Sequence, residues 1–190
     1  MLEWANINNL KILSDEIGLS GFKKFGCLGS YDLINFDKTL KFNMKFKYSD
    51  NPINNAAIID VDFKHSAEYH SFASLVYQNE NLITYIRNNG FELKIWEGCP
   101  IEDKDWHNLD LLLNEKSVSF YIDNNLITSY EFDDKISPCM IFIGGNSTKN
   151  LESHREESIS LYVKDISIIA DDISVSLIKE NLVLLEDNND

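Results

Sequence analysis

Apolar and polar residues alternate along much of this chain with a period of two. Leu40, Phe42, Met44, Phe46 and Tyr48 are separated by Lys41, Asn43, Lys45 and Lys47. An extended backbone sends successive side chains to opposite faces, so this run predicts a strand with one buried and one solvated side. The same spacing recurs at Leu109, Leu111 and Leu113, at Val118, Phe120 and Ile122, and at Ile59, Val61 and Phe63. In the last case Asp60 and Asp62 fall on the other face, which the alternation predicts to be wet. Further extended segments are predicted over 72–77, 82–87, 91–96, 126–132 and 140–143. Gln78-Asn79-Glu80-Asn81, Asn88-Asn89-Gly90 and Asp123-Asn124-Asn125 separate neighbouring runs, and Asn, Asp and Gly tolerate the positive φ that tight hairpins require.

The two ends are less regular. Residues 10–17 have spacing compatible with a helix or a strand, and Gly18, Gly21, Gly26 and Gly29 favour the strand. After a run of extended character over 158–168, residues 171–176 read as one more strand. Residues 176–185 carry only partial helical spacing, and 186–190 form an acidic end. The predicted organisation is therefore a β-sandwich over 1–170 followed by a strand or short helix and an acidic tail over 171–190.

The order of these pieces resembles a known family. Trp106 opens a strand, a turn follows, and the next strand closes on Tyr121-Ile122-Asp123-Asn124. Another strand then leads to Ile143-Gly144-Gly145. This succession is similar to the C-terminal half of laminin-G-like or concanavalin A-like jelly rolls, in which the second strand ends in Val-Asp-Gly. Here Asn124 stands where the family has Gly, and Asn is the next residue best suited to a left-handed backbone. The run Phe25-Gly26 before a short strand resembles the family's N-terminal hairpin. The resemblance implies an all-β, antiparallel β-sandwich (jelly roll, concanavalin A-like) with a short irregular or helical C-terminal tail. It also implies carbohydrate binding, with protein interaction or a structural role as the alternative on the same sandwich, and a polysaccharide hydrolase or lyase after those.

Charge narrows the partners. With 31 acidic against 17 basic residues the formal charge is −14, which repels nucleic-acid backbones and anionic membranes and leaves a glycan or a protein as the expected ligand. The 44% hydrophobic content is ample for a core. Cys27, Cys99 and Cys139 are odd in number and widely spaced, so buried free thiols are expected, with a single Cys99–Cys139 bridge as the alternative. The chain as given carries no basic-then-apolar leader and no apolar run long enough for a membrane span, which fits a cytoplasmic protein or a domain cut from a secreted or surface protein. Oligomeric state is not legible from these features.

Several residue groups bear on chemistry. Glucanases of this fold place paired carboxylates in an ExDxxE-type spacing on one strand, and no such motif, GxSxG elbow or HExxH occurs here. Asp60 and Asp62 share a face and, with His65, Glu68 and His70 nearby, form the metal candidate. Calcium is the cofactor the laminin-G-like resemblance suggests, although the spacing specifies no complete coordination shell. For sugar binding, a ring needs an aromatic to stack on and planar polar groups for its hydroxyls. If Phe91, Leu93 and Ile95 face inward, Trp96 joins Glu92 and Lys94 on the polar face. Tyr85 and Arg87 lie opposite Ile86 on the neighbouring segment. The expected ligand-binding set is therefore Tyr85, Arg87, Glu92, Lys94 and Trp96, with Asp60 and Asp62 alongside. His107 and His154 are expected to be surface or packing residues.

Overall fold

A computed structural model describes residues 2–6, 10–13, 16–19, 27–30, 33–48, 56–63, 71–78, 80–98, 104–144 and 161–175. The first strands are β1 (Leu2–Asn6), β2 (Leu10–Leu13), β3 (Glu16–Leu19), β4 (Cys27–Ser30) and β5 (Thr39–Tyr48). They are followed by β6 (Ala56–Phe63), β7 (Ser71–Gln78), β8 (Asn81–Asn88), β9 (Phe91–Gly98) and β10 (His107–Asn114). The last are β11 (Ser117–Ile122), β12 (Asn125–Glu131), β13 (Cys139–Ile143), β14 (Leu161–Ala170) and β15 (Ile173–Val175). Among the described residues there is no helix.

The strands form two antiparallel sheets. One runs in the order β1-β4-β13-β6-β7-β8-β9 and the other β12-β11-β10-β5-β14-β3-β2, with β15 paired to β14. Three hairpins turn on consecutive residues with positive φ: Asn89 (49°) and Gly90 (85°), Asp123 (50°) and Asn124 (65°), and Asp171 (48°) and Asp172 (66°). Two such residues in a row give a turn whose twist matches that of the flanking strands. Asn124 thus takes a left-handed backbone that otherwise favours glycine. The third hairpin carries the chain from β14 into β15, so residues 171–175 extend the sandwich. The strand or helix expected over 176–185 lies outside the described residues.

The alternation in β5, β10 and β11 translates directly into the core. Leu40, Met44, Phe46, Leu109, Leu113, Val118 and Phe120 have no exposed surface, and Phe42 and Leu111 have almost none. Against them the first sheet presents Ile59, Val61, Phe63, Ala73, Leu75, Tyr77, Leu82 and Ile86, all buried. Phe63 meets Phe132 edge to face at 5.1 Å, and Phe132 in turn meets Tyr130 at 4.9 Å, the offset geometry that aromatic quadrupoles favour. Cys139 is a buried free thiol, and Cys99, its partner in the alternative bridge, lies outside the described residues. Burial pushes that thiol well above its ordinary range, so it is chemically quiet.

Asp171 ties the turn after β14 to the start of β5, its neighbour in the middle of the second sheet. Its carboxylate accepts the backbone N–H groups of Asp37, Lys38 and Thr39 at 2.6, 2.7 and 3.0 Å. These three donors hold the carboxyl below the usual range for aspartate.

Two expectations are corrected at this level. Asp60 and Asp62, predicted on a wet face, are only 2% and 3% exposed. Their cross-strand neighbours Phe142, Ser74 and Phe72 are buried with them, so the middle of the first sheet is covered on both faces. Conversely Phe91 and Leu93, read as part of the inward-facing apolar set of their segment, are 77% and 46% exposed. They do face inward, since Leu93 is opposite the buried Ile86, but β9 is the last strand of its sheet and little of the other sheet reaches over it.

Candidate functional site

The outer face of the first sheet brings the expected polar residues into two adjacent rows. Strand registers align Met140, Asp62, Phe72, Arg87 and Glu92 in one row, and Phe142, Asp60, Ser74, Tyr85 and Lys94 in the next. Asp60 and Asp62 therefore lie on the face that carries Tyr85 and Arg87, two strands away, and Glu92 and Lys94, three strands away. Neighbouring strands are about 4.8 Å apart, which puts roughly 10 Å between the aspartates and the tyrosine and arginine of their rows. Exposure rises along the rows, from the buried aspartates through half-buried Tyr85 and Arg87 to exposed Glu92 and Lys94.

Each polar side chain in this patch is held by another. Arg87 Nη2 donates to Glu92 Oε2 at 3.0 Å, and its guanidinium lies 5.1 Å from the centroid of the Phe72 ring. The Tyr85 hydroxyl donates to Gln78 Oε1 at 2.6 Å. Burial raises the Tyr85 phenol above its ordinary range, while nearby Lys94 pulls the other way. Lys94 Nζ reaches Glu97 Oε2 at 2.6 Å, and Glu97 also accepts from Asn81 at 3.2 Å. This pair holds Lys94 above and Glu97 below their usual ranges.

Trp96 does not join this face. Between Thr84 and Tyr85 the register of β8 and β9 shifts, so that Tyr85 pairs with Lys94 but Thr84 pairs with Trp96, leaving Ile95 as the extra residue of a bulge. One added residue reverses the parity of everything after it. Trp96 therefore packs against the core, and Glu97 turns outward beside Lys94. The indole lies over Gly98, where a Cβ would collide with its six-membered ring, so glycine is required here for space.

The two aspartates do not assemble a calcium shell with their described neighbours. Calcium takes about six to eight oxygens, and beside the pair stand Phe72, Met140, Phe142 and Ser74, whose hydroxyl already donates to the Ile59 carbonyl at 3.2 Å. Among the described residues no group of three His, Cys, Asp or Glu is positioned for a metal ion. His65, Glu68, His70 and His154 lie outside the described residues. His107 packs against Phe46 at 5.9 Å and bonds Asp123 at 2.7 Å, as a packing histidine would.

Sequence reading did not anticipate a second aromatic cluster, on the outer face of the other sheet. Lys164 Nζ lies 3.9 Å and Lys47 Nζ 4.6 Å from the centroid of Trp106, and Lys47 also lies 5.2 Å from that of Tyr162. Alternation places Lys47 on the wet face correctly. Its meeting with Trp106 and Lys164 depends on β14 pairing with β5, a contact between segments more than a hundred residues apart.

No family model and no curated protein matches the chain. Solved structures do match in shape. A carbohydrate-binding module from Bacillus subtilis superposes with a TM-score of 0.55 at 11% identity, covering 87% of this chain and 94% of that one. A family 7 alginate lyase in complex with product gives 0.62 at 11% identity, covering 86% and 84%. Mouse laminin alpha1 chain domains give 0.57 at 13% identity, covering 92% of this chain and 46% of that one. The two antiparallel sheets, their order and these superpositions establish that the chain has the concanavalin A-like jelly-roll fold.

Proposed function

We propose that this domain binds a carbohydrate on the outer face of its first sheet, through Tyr85, Arg87, Glu92 and Lys94. The observation that carries this reading is the pair of registered rows, which puts a phenol, a guanidinium, a carboxylate and an ammonium on one rigid face in rising exposure. Such groups offer a sugar a partly apolar ring to lie against and both donors and acceptors for its hydroxyls. Arg87 and Glu92 hold each other, Gln78 holds Tyr85 and Glu97 holds Lys94, which lowers the ordering cost of binding. The names of two structural neighbours, a carbohydrate-binding module and an alginate lyase, support the same class of ligand.

Catalysis on a polysaccharide is the second reading, favoured by one observation. Asp60 and Asp62 are carboxylates two residues apart on a single strand face, with roughly 6.6 Å between their Cα atoms, and glycosidases act through a pair of carboxyl groups. Their burial removes them from a polymer lying on the surface, so binding without turnover is the better-supported function.

The test is a glycan array run with and without calcium, followed by titration of the best ligand. Tyr85→Ala and Arg87→Ala are expected to weaken binding about tenfold or more at unchanged fold. Binding indifferent to both substitutions removes the site. Product release from a polysaccharide panel that disappears in Asp60→Asn replaces the binding reading with the catalytic one.

A further inference from the structure

The strand β9 is an edge of the first sheet. It ends its sheet, so one row of its backbone N–H and C=O groups has no strand partner among the described residues, an arrangement that natural proteins normally blunt. Its inward face carries Phe91 and Leu93, two of the four large apolar side chains that are exposed among the described residues. The edge strand of the other sheet on this side of the sandwich, β12, is less suited. Leu126 is its one exposed large apolar residue, against two on β9.

We infer that two copies of this chain associate through antiparallel β9 strands related by a two-fold axis through Leu93. The axis stands perpendicular to the sheet, so each residue meets a partner on the same face. Centring on Leu93 sets Phe91 against Ile95 and Leu93 against Leu93 on the inward face. On the outward face Glu92 meets Lys94 of the second copy, and Lys94 meets Glu92, so both cross-strand pairs are of opposite charge. Moving the centre one residue either way destroys this match, because it sets Glu92 against Glu92 or Lys94 against Lys94. Directly opposed like charges in a sheet are destabilising, so the sequence of β9 selects one register.

In the free chain Glu92 pairs with Arg87 and Lys94 with Glu97, but these side chains are 47% and 49% exposed and readily exchange partners. The regular stretch runs from the Asn89-Gly90 turn to the bulge at Ile95, five residues a side, which is small for an interface. The dimer is accordingly reversible and grows with concentration. Its product is one continuous sheet in which the two outer-face patches adjoin. The inference stands on the edge strand alone and does not depend on what the patch binds.

Sedimentation equilibrium of the full chain over a wide range of concentrations tests it. The wild type is expected to pass from one to two copies. Glu92→Lys and Lys94→Glu each turn both charge pairs repulsive and should weaken self-association about tenfold. An equimolar mixture of the two variants restores both opposite-charge pairs and should recover the dimer, as should the doubly reversed chain. Circular dichroism confirms that the variants keep their fold. A wild type that stays monomeric throughout overturns the proposal, and so does a dimer that ignores both single reversals.

Discussion

Thr84 offers a clean measurement of what this fold tolerates beneath the candidate site. It faces the core from β8, has no exposed surface, and its hydroxyl has no hydrogen-bond partner among the described residues. Burying an unsatisfied hydroxyl costs about 1–3 kcal/mol by mutational measurement. Thr84→Val exchanges that hydroxyl for a methyl of nearly the same shape and keeps the β-branched form that strands favour. The expected gain is about 1–2 kcal/mol. Each kcal/mol shifts Tm by about 2–4 °C in a domain of this size, so Tm should rise by about 2–8 °C. Urea unfolding gives the same quantity as a higher midpoint at unchanged slope. Thr84→Ser completes the test: it keeps the hydroxyl and loses a buried methyl, so it should cost about 1 kcal/mol. A Thr84→Val protein less stable than wild type by about 1 kcal/mol would refute the reasoning, since the hydroxyl would then have to be bonded.

Three further outcomes follow from the site and the sheets. Trp96→Ala should cost about 2 kcal/mol of stability, less than the ~3–5 of a fully buried tryptophan, and leave glycan affinity unchanged; a selective loss of affinity would return the indole to the binding face. Gly98→Ala drives a methyl into that indole, and a cost of about 1–3 kcal/mol with a shifted tryptophan emission is expected in thermal melts. Asp171 is tied by three backbone donors, and its folded pKa lies below its unfolded one. Its contribution is therefore fully present above the ordinary aspartate range and lost as pH falls through the folded value. The difference in Tm between wild type and Asp171→Ala should stay constant at neutral and mildly acidic pH and shrink below about pH 4. A difference that grows on acidification would contradict this sign.

Period-two alternation was enough to locate β5, β6, β10 and β11 and the inward-facing residues of each. Leu40 to Tyr48, Leu109 to Leu113 and Val118 to Phe120 are buried as their spacing demands, because a pleated backbone leaves side chains only two directions. Asn89-Gly90 and Asp123-Asn124 announced their hairpins for an equally local reason, the positive φ that few residues accept. What spacing does not carry is which face a neighbour covers, or where an extra residue interrupts the count. Asp60 and Asp62 share the predicted face yet are buried, because coverage is set by segments remote in sequence. Phe91 and Leu93 point inward yet stay exposed, because β9 has a strand on only one side. Trp96 changed sides because a bulge at Ile95 reverses parity, and that bulge exists only in the pairing of β9 with β8. Four of the five expected ligand residues therefore came together and Trp96 did not: local chemistry chose the directions available to each side chain, and packing at a distance chose which of them meet solvent.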